Sequence, residues 1–72
     1  RETLRRALEP LVEATLKRDR RCAIGHHVRG QLALLSGDEE RAYKSFRNAS
    51  ILDPDDLEAK RHVRLLERRR SK

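Results

Sequence analysis

Cysteine and histidine residues near the middle of the chain have a spacing that metal ions can use. Cys22 and His26 stand four residues apart, and His27 follows directly. A structural zinc site takes four ligands, so His62 would have to come from another helix. The simpler interpretation is that Cys22 is a small apolar residue and His26 packs on a neighbouring helix. We therefore predict no bound metal and no cofactor.

No other group of side chains has the spacing of a catalytic site. The sequence lacks a glycine-rich phosphate loop, a nucleophile motif and a carboxylate pair with a reason to be perturbed. Ser36, Ser45 and Ser50 fall on helix surfaces or helix ends. We predict that the chain is not an enzyme and takes no small-molecule substrate.

Charge is the strongest signal in the composition. The chain has 72 residues, 42% of them charged, and a net charge of +6. Lys and Arg outnumber Asp and Glu by seven to four in residues 1–22 and by seven to two in residues 57–72, but not in residues 23–56. Such basic ends can bind phosphates, which makes electrostatic RNA or DNA binding the alternative function. Single-strand binders usually supply stacking aromatics, and only Phe46 and Tyr43 are present, so nucleic acid is the less favoured partner.

Cellular location is constrained by what the sequence lacks. One cysteine permits no internal disulfide, which fits a reducing compartment. No apolar run of membrane-spanning length and no signal-peptide pattern occur. We expect a cytoplasmic chain without membrane contact. Because it begins at Arg1 without a methionine, we also expect a C-terminal fragment of a larger protein.

Apolar residues recur with helical spacing in the first half of the chain. A helix over 3–18 is predicted from a stripe formed by Leu4, Leu8, Leu11 and Thr15 or Leu16, with a kink at Pro10. A second helix over 22–36 is predicted, with Asp19 as its cap. It is apolar on two faces, one of Ile24, Val28 and Leu32 or Leu35, the other of Gly30, Ala33 and Leu34. Gly30 predicts the close approach of a neighbouring helix, and Gly37 ends this one.

Two further helices follow. The third, over 39–52, has Asp38 as its cap and Ala42, Phe46 and Ala49 on its buried face, and it stops at Leu52-Asp53-Pro54. The fourth, over 56–69, begins with an Asp55–Glu58 capping box. Its apolar face is Ala59, Val63 and Leu66, with His62 at the edge. Its last arginines, residues 68–70, are expected to fray into a basic tail.

Residues 23–56 carry five small residues, one phenylalanine and one proline at fixed intervals. The set comprises Gly30, Ala33, Gly37, Ala42, Phe46, Ala49 and Pro54. This spacing resembles the 34-residue tetratricopeptide repeat, with Ala-x3-Phe in its second helix and Pro at its end. The bulky Trp, Leu and Tyr of the repeat's first helix are replaced here by His26, Arg29 and Ala33.

The resemblance implies an all-α fold of antiparallel helical hairpins, a fragment of a right-handed solenoid. Residues 1–19 resemble the second half of a preceding repeat, 20–56 a complete repeat, and 57–72 a capping helix with a basic tail. The charges of Lys60, Arg64 and Glu67 then face water, as a terminal repeat requires. About three repeats are usually needed for independent stability, so marginal stability, further repeats upstream or self-association is expected.

The resemblance also implies a function, because stacked repeats form a surface that binds a peptide or a helix of a partner protein. The family's usual groove positions fall on Ile24, His27, Gln31 and Leu34, and on Glu58, Arg61, Leu65 and Arg68. We expect an adaptor or scaffold module whose partner presents an acidic segment or a C-terminal carboxylate to Arg61 and Arg68. The alternative is that these two arginines are only the solvated face of the capping helix.

Overall fold

Four helices account for most of the chain. The structure is a computed structural model that describes residues 2–70, without the side chains of residues 2, 4 and 5. The helices are α1 (Glu2–Arg18), α2 (Ala23–Leu35), α3 (Glu39–Leu52) and α4 (Leu57–Arg70). Each packs on the next, and the short connections make neighbours antiparallel. The predicted all-α class is confirmed, whereas the right-handed solenoid and the division into repeats stay predictions.

α1 faces α2 through part of the predicted stripe, with Val12 in place of Leu11. The helix runs through Pro10, and its buried residues are Val12 and Leu16, with Leu8 packed beside them. Leu11 is exposed, so its place in the predicted stripe was wrong. Thr15 is also exposed, and its hydroxyl donates to the Leu11 carbonyl at 2.9 Å within the helix. Leu4, the first residue of the predicted stripe, has its side chain outside the described residues.

The start of α2 is capped by a cysteine and not by Asp19. The Cys22 sulfur accepts a hydrogen bond from the Gly25 amide at 3.3 Å. The Asp19 carboxylate accepts from the Arg21 amide at 3.0 Å, which closes a turn before the helix begins. The predicted Asp19 cap is therefore wrong, because the carboxylate is used two residues further along the loop.

The end of α2 follows the prediction. Gly37 has a φ of 78°, a left-handed conformation that glycine adopts without strain. The Gly37 amide donates to the Leu34 carbonyl at 3.1 Å, and the Asp38 amide donates to the Ala33 carbonyl at 2.9 Å. This pair of bonds satisfies carbonyls that the helix would otherwise leave unpaired. Asp38 then caps α3, because its carboxylate accepts from the Arg41 amide at 3.1 Å.

α2 lies between two apolar clusters, as its two apolar faces predicted. Toward α1, Leu32 joins the cluster of Val12 and Leu16. Toward α3 and α4 the buried residues are Ala33, Ala42, Phe46, Ala49, Ala59 and Leu66. Ile24 and Leu35 are exposed, so their predicted place on the buried face was wrong. Val28 and Leu32, which were also predicted on this face, do pack in the cluster with Val12 and Leu16.

Gly30 of α2 lies directly against the ring of Phe46 in α3. Phe46 is completely buried, with 0% of its surface exposed. A Cβ atom added at Gly30 would lie 2.8 Å from two carbons of the Phe46 ring, closer than real carbons approach. The predicted reason for a glycine inside this helix, close approach by its neighbour, is confirmed.

α4 begins one residue later than the predicted capping box requires. The Asp56 carboxylate accepts from the Ala59 amide at 3.0 Å, which is the capping bond. The Asp55 amide donates to the Asp53 carboxylate at 3.1 Å in the preceding turn. Glu58 accepts from Gln31 of α2 rather than reaching back along its own helix. The predicted Asp55–Glu58 box is therefore wrong.

The C-terminal arginines of α4 are held and do not fray within the described residues. Arg69 pairs with Glu39 at 2.9 Å, and Arg70 pairs with Glu40. The Arg70 guanidinium also lies 4.4 Å from the centre of the Tyr43 ring, and its hydrogen bond lowers the pKa of Glu40. Because α3 and α4 are antiparallel, the acidic first turn of α3 meets the basic last turn of α4. Residues 71 and 72 of the predicted tail lie outside the described residues.

Candidate functional site

One face of α4 points away from the rest of the protein and carries leucines together with cationic side chains. Its six residues line a shallow depression of about 420 Å³; they are Leu57, Lys60, Arg61, Arg64, Leu65 and Arg68. We call this set the α4 outer face. The residues recur three, four, seven and eight positions apart, which places them along one side of a helix. The opposite side, with Ala59 and Leu66, is buried in the core.

The α4 outer face has apolar and charged groups that the fold does not use. Leu57 is 71% exposed and Leu65 is 50% exposed. Its four cations form no ion pair with an acidic side chain in residues 2–70, in contrast to Arg69 and Arg70. The fold therefore leaves on this face both an apolar surface and a local excess of positive charge.

A polar network joins α2 to the start of α4 beside this face. His27 Nδ1 lies 2.6 Å from Asp56 Oδ2, and His27 Nε2 lies 3.4 Å from Glu58 Oε1. The Gln31 amide nitrogen donates to Glu58 Oε1 at 3.2 Å, and His62 Nε2 lies 3.9 Å from the same oxygen. The structure thus brings together three of the predicted groove residues: His27, Gln31 and Glu58.

The histidines of this network pack against the core. His62 stacks on Phe46 with ring centres 4.4 Å apart, and His27 meets the same ring edge-on at 5.5 Å. His62 is therefore a packing residue of the α3–α4 contact. In the described part of the chain, no group of three or more His, Cys, Asp or Glu side chains is arranged to hold a metal.

The remaining predicted groove residues lie in three separate places. Arg61, Leu65 and Arg68 belong to the α4 outer face. Ile24 lies with Leu11 in an apolar depression between α1 and α2, and Leu34 packs against the main core. A groove that joins these places stays a prediction.

Sequence reasoning missed half of the α4 outer face. The sequence pattern predicts no role for Leu57 and only contact with water for Lys60 and Arg64. The signal was available, because Leu57 lies four residues before Arg61 and eight before Leu65, on the same side of a helix.

Asp56 connects the network to the stability of the fold. Burial raises the pKa of its carboxyl, but the Ala59 amide and the His27 imidazole favour the charged form, and the net pKa lies below its ordinary value. A carboxyl whose pKa is lower in the folded state than in the unfolded state stabilises the fold at pH values above the unfolded pKa, which is near 4. This stabilisation is lost as the pH falls through the pKa of the folded state.

We expect the melting temperature to drop on acidification below about pH 4 and this drop to be smaller in Asp56→Asn. Asparagine caps helices about as well as aspartate, so the substitution removes the titration and keeps the cap. Circular dichroism melts between about pH 2.5 and pH 5 measure the effect, with Asp55→Asn as the matched control. Equal acid sensitivity of the two variants would contradict this role of Asp56.

No helix among residues 2–70 combines the length and the apolar character needed to cross a bilayer. Comparison with models of known families, with curated proteins and with solved structures found no match to this chain. The assignment of residues 23–56 to the tetratricopeptide type therefore stays a prediction from their spacing.

Proposed function

We propose that the chain is a protein–protein interaction module that holds an acidic, partly apolar segment of a partner against the α4 outer face. The observation that carries the proposal is the exposure of Leu57 and Leu65 among four cations that have no acidic partner in the described chain. Exposed apolar groups rimmed by polar ones mark interaction sites, and arginine is enriched among the residues that dominate binding energy.

The dimensions of the face indicate the kind of segment that fits. Leu57 and Leu65 are separated by about 12 Å along the helix axis, at 1.5 Å per residue. A partner helix with leucines about two turns apart and acidic residues between them matches both the spacing and the charge. Because the face is short, we expect binding of the weak, reversible kind that small interfaces give.

The tetratricopeptide-like spacing supports the same proposal. In such repeats the first helices line the peptide-binding surface, and α4 has the position of a first helix after a complete repeat. On this proposal the module acts as an adaptor in the cytoplasm, where its single cysteine stays reduced. The polar network of His27, Gln31 and Glu58 would form the second wall of the groove.

A charge-reversal experiment tests the proposal. The probe is a fluorescent helical peptide of glutamates with two leucines about two turns apart, titrated by anisotropy. We expect Arg61→Glu/Arg68→Glu to weaken binding by about 100-fold, because two close charge pairs are lost and two repulsions are added. Both side chains are exposed, so the variant should melt at nearly the wild-type temperature.

The matched control is Arg6→Glu/Arg47→Glu, which makes the same change in net charge on α1 and α3. Both of its arginines are exposed and lie outside the α4 outer face. We expect this control to bind within a few-fold of wild type. An equal loss of affinity in the two variants would reject the α4 outer face as the site.

Electrostatic binding of RNA or DNA remains the alternative function. It would use the basic residues at both ends of the chain, the four cations of the α4 outer face among them, but would give no role to Leu57 and Leu65. Phosphate binding weakens log-linearly and steeply with salt, whereas contacts to leucine do not. A salt titration of the preferred ligand therefore distinguishes the two functions.

A further inference from the structure

A second concave surface lies on the other helices of the protein. It is a cleft of about 480 Å³ formed by the end of α1, the first half of α2 and the end of α3, and no residue of α4 lines it. Its volume is in the range of sites that bind small ligands or the end of a peptide. It is therefore separate from the α4 outer face.

The cleft holds an arginine whose hydrogen-bonding groups are incompletely used. Arg29 extends from α2 toward α1, where its Nε lies 3.0 Å from Glu13 Oε1. This Nε is buried and has no acceptor in hydrogen-bond geometry, so the contact is an ion pair only. The guanidinium is thus held in place by Glu13, and its Nη groups, rather than the buried Nε, are the donors that remain for another acceptor.

Two further cations surround the same cleft. Lys17 and Arg20 line it, and neither side chain has an acidic partner in residues 2–70. The loop that carries Arg20 is fixed, because the Arg20 carbonyl accepts a hydrogen bond from Nε2–H of the buried His26 at 2.8 Å. Three cations against the single carboxylate of Glu13 leave the cleft with an excess of positive charge.

Aliphatic side chains supply the rest of the lining. Leu16 is buried at the floor, whereas Ile51 is 66% exposed and Leu52 is 37% exposed on the α3 side. The lining of the cleft therefore combines these apolar side chains with the Lys17 ammonium and the Arg20 guanidinium, which have no acidic partner in residues 2–70. A ligand that matches it has a carboxylate next to an aliphatic group.

We propose that this cleft binds the C-terminal residue of a partner polypeptide, with the terminal carboxylate on Arg29, Lys17 and Arg20 and an aliphatic side chain on Ile51 and Leu52. The C-terminal residue of a polypeptide carries a carboxylate and a side chain on the same Cα atom. An aliphatic C-terminal residue therefore matches both the cations and the apolar side chains of the cleft. Arginine recognises a carboxylate through two parallel hydrogen bonds, which the unused donors of Arg29 can supply.

The test uses a labelled peptide that ends in two leucines and carries no other charge, with a free or an amidated C-terminus. We expect the free acid to bind at least 10-fold more tightly than the amide by anisotropy, and Arg29→Leu to abolish that difference. Leucine stands at this position in the repeat that residues 23–56 resemble, so the variant should fold. Lys17→Gln/Arg20→Gln, with both changes on exposed side chains, should weaken the free acid about 10-fold.

Arg61→Glu/Arg68→Glu separates this site from the proposed function. We expect this variant to bind the free-acid peptide like wild type, since neither residue lines the cleft. Equal affinity for acid and amide, or an acid preference that survives Arg29→Leu, would overturn the proposal. So would loss of the acid preference in Arg61→Glu/Arg68→Glu, which would assign the carboxylate to α4. Preference for a peptide with an internal glutamate over a free C-terminus would identify an internal acidic segment as the ligand instead and also reject it.

Discussion

Phe46→Ala is expected to leave the chain largely unfolded at room temperature. Phe46 is completely buried and is the largest such side chain in the described core, in contact with both His27 and His62. Truncation of a buried phenylalanine to alanine costs about 3–5 kcal/mol. A single core in a domain of this size rarely supplies more than about 3–5 kcal/mol, so the loss is comparable to the whole stability.

Circular dichroism and urea titration measure this effect. Phe46→Leu is the matched control, because it keeps an apolar side chain of intermediate volume and should retain a cooperative transition at lower urea. Tyr43→Ala on the same helix changes a partly exposed ring and should cost less. A Phe46→Ala protein that melts cooperatively within a few degrees of wild type would contradict the described core.

Gly30→Ala is expected to destabilise the fold although alanine is the better helix former. Helix propensity alone favours alanine over glycine by about 1 kcal/mol. The added Cβ would lie 2.8 Å from the Phe46 ring, and overpacking of this kind typically costs about 1–3 kcal/mol. The steric cost exceeds the gain in helix propensity. We therefore expect a lower free energy of unfolding, measured as a shift of the urea midpoint to lower urea.

A second glycine in α2 provides the comparison. A Cβ at Gly25 would meet the Leu16 methyl at 3.0 Å, and that methyl is the end of a flexible side chain. Gly25→Ala should therefore cost less than Gly30→Ala. Phe46→Leu should relieve part of the Gly30→Ala penalty, giving a favourable coupling in the double-mutant cycle. Stabilisation by Gly30→Ala would show that α2 and α3 lie further apart.

The helices could be predicted because their signals are local. Gly37 favours the left-handed conformation that ends a helix. Asp38, which follows it, can cap the next helix, and Pro54 keeps the residue before it out of the helical conformation. These three signals fixed the bounds of α3 to the residue. The spacing of Gly30 and Phe46 likewise indicated a close contact, because a glycine inside a helix otherwise only lowers its stability.

The cap of α4 could not be chosen from the sequence, because the two adjacent aspartates before this helix are equivalent locally. Asp55 and Asp56 both precede α4, and Asp56 has the additional contact with His27 from a helix 29 residues earlier. The ion pairs of Arg69 and Arg70 could not be predicted either, because their partners Glu39 and Glu40 lie on the preceding helix. Only the packing of α4 on α3 decides that these arginines are neutralised and that Arg61, Arg64 and Arg68 are not.

The proposed site was therefore predictable in part. Arg61, Leu65 and Arg68 were expected in a binding groove, but their association with Leu57, Lys60 and Arg64 follows from the face of α4 that the core leaves exposed. The cleft around Arg29 combines residues from three helices, and no local pattern brings them together.

Replacement of Leu57 and Leu65 tests the central claim most directly, because these two leucines distinguish a protein partner from a nucleic acid. The measurement is the affinity of Leu57→Ala/Leu65→Ala for the acidic leucine peptide and for a single-stranded RNA oligonucleotide at physiological salt, with the exposed pair Leu11→Ala/Leu35→Ala as the control. We predict at least a 10-fold loss of peptide affinity, little change in the control, and weak RNA binding that is insensitive to either change. Unchanged peptide affinity, or RNA bound more tightly than the peptide by every variant, would contradict a protein-binding role for the α4 outer face.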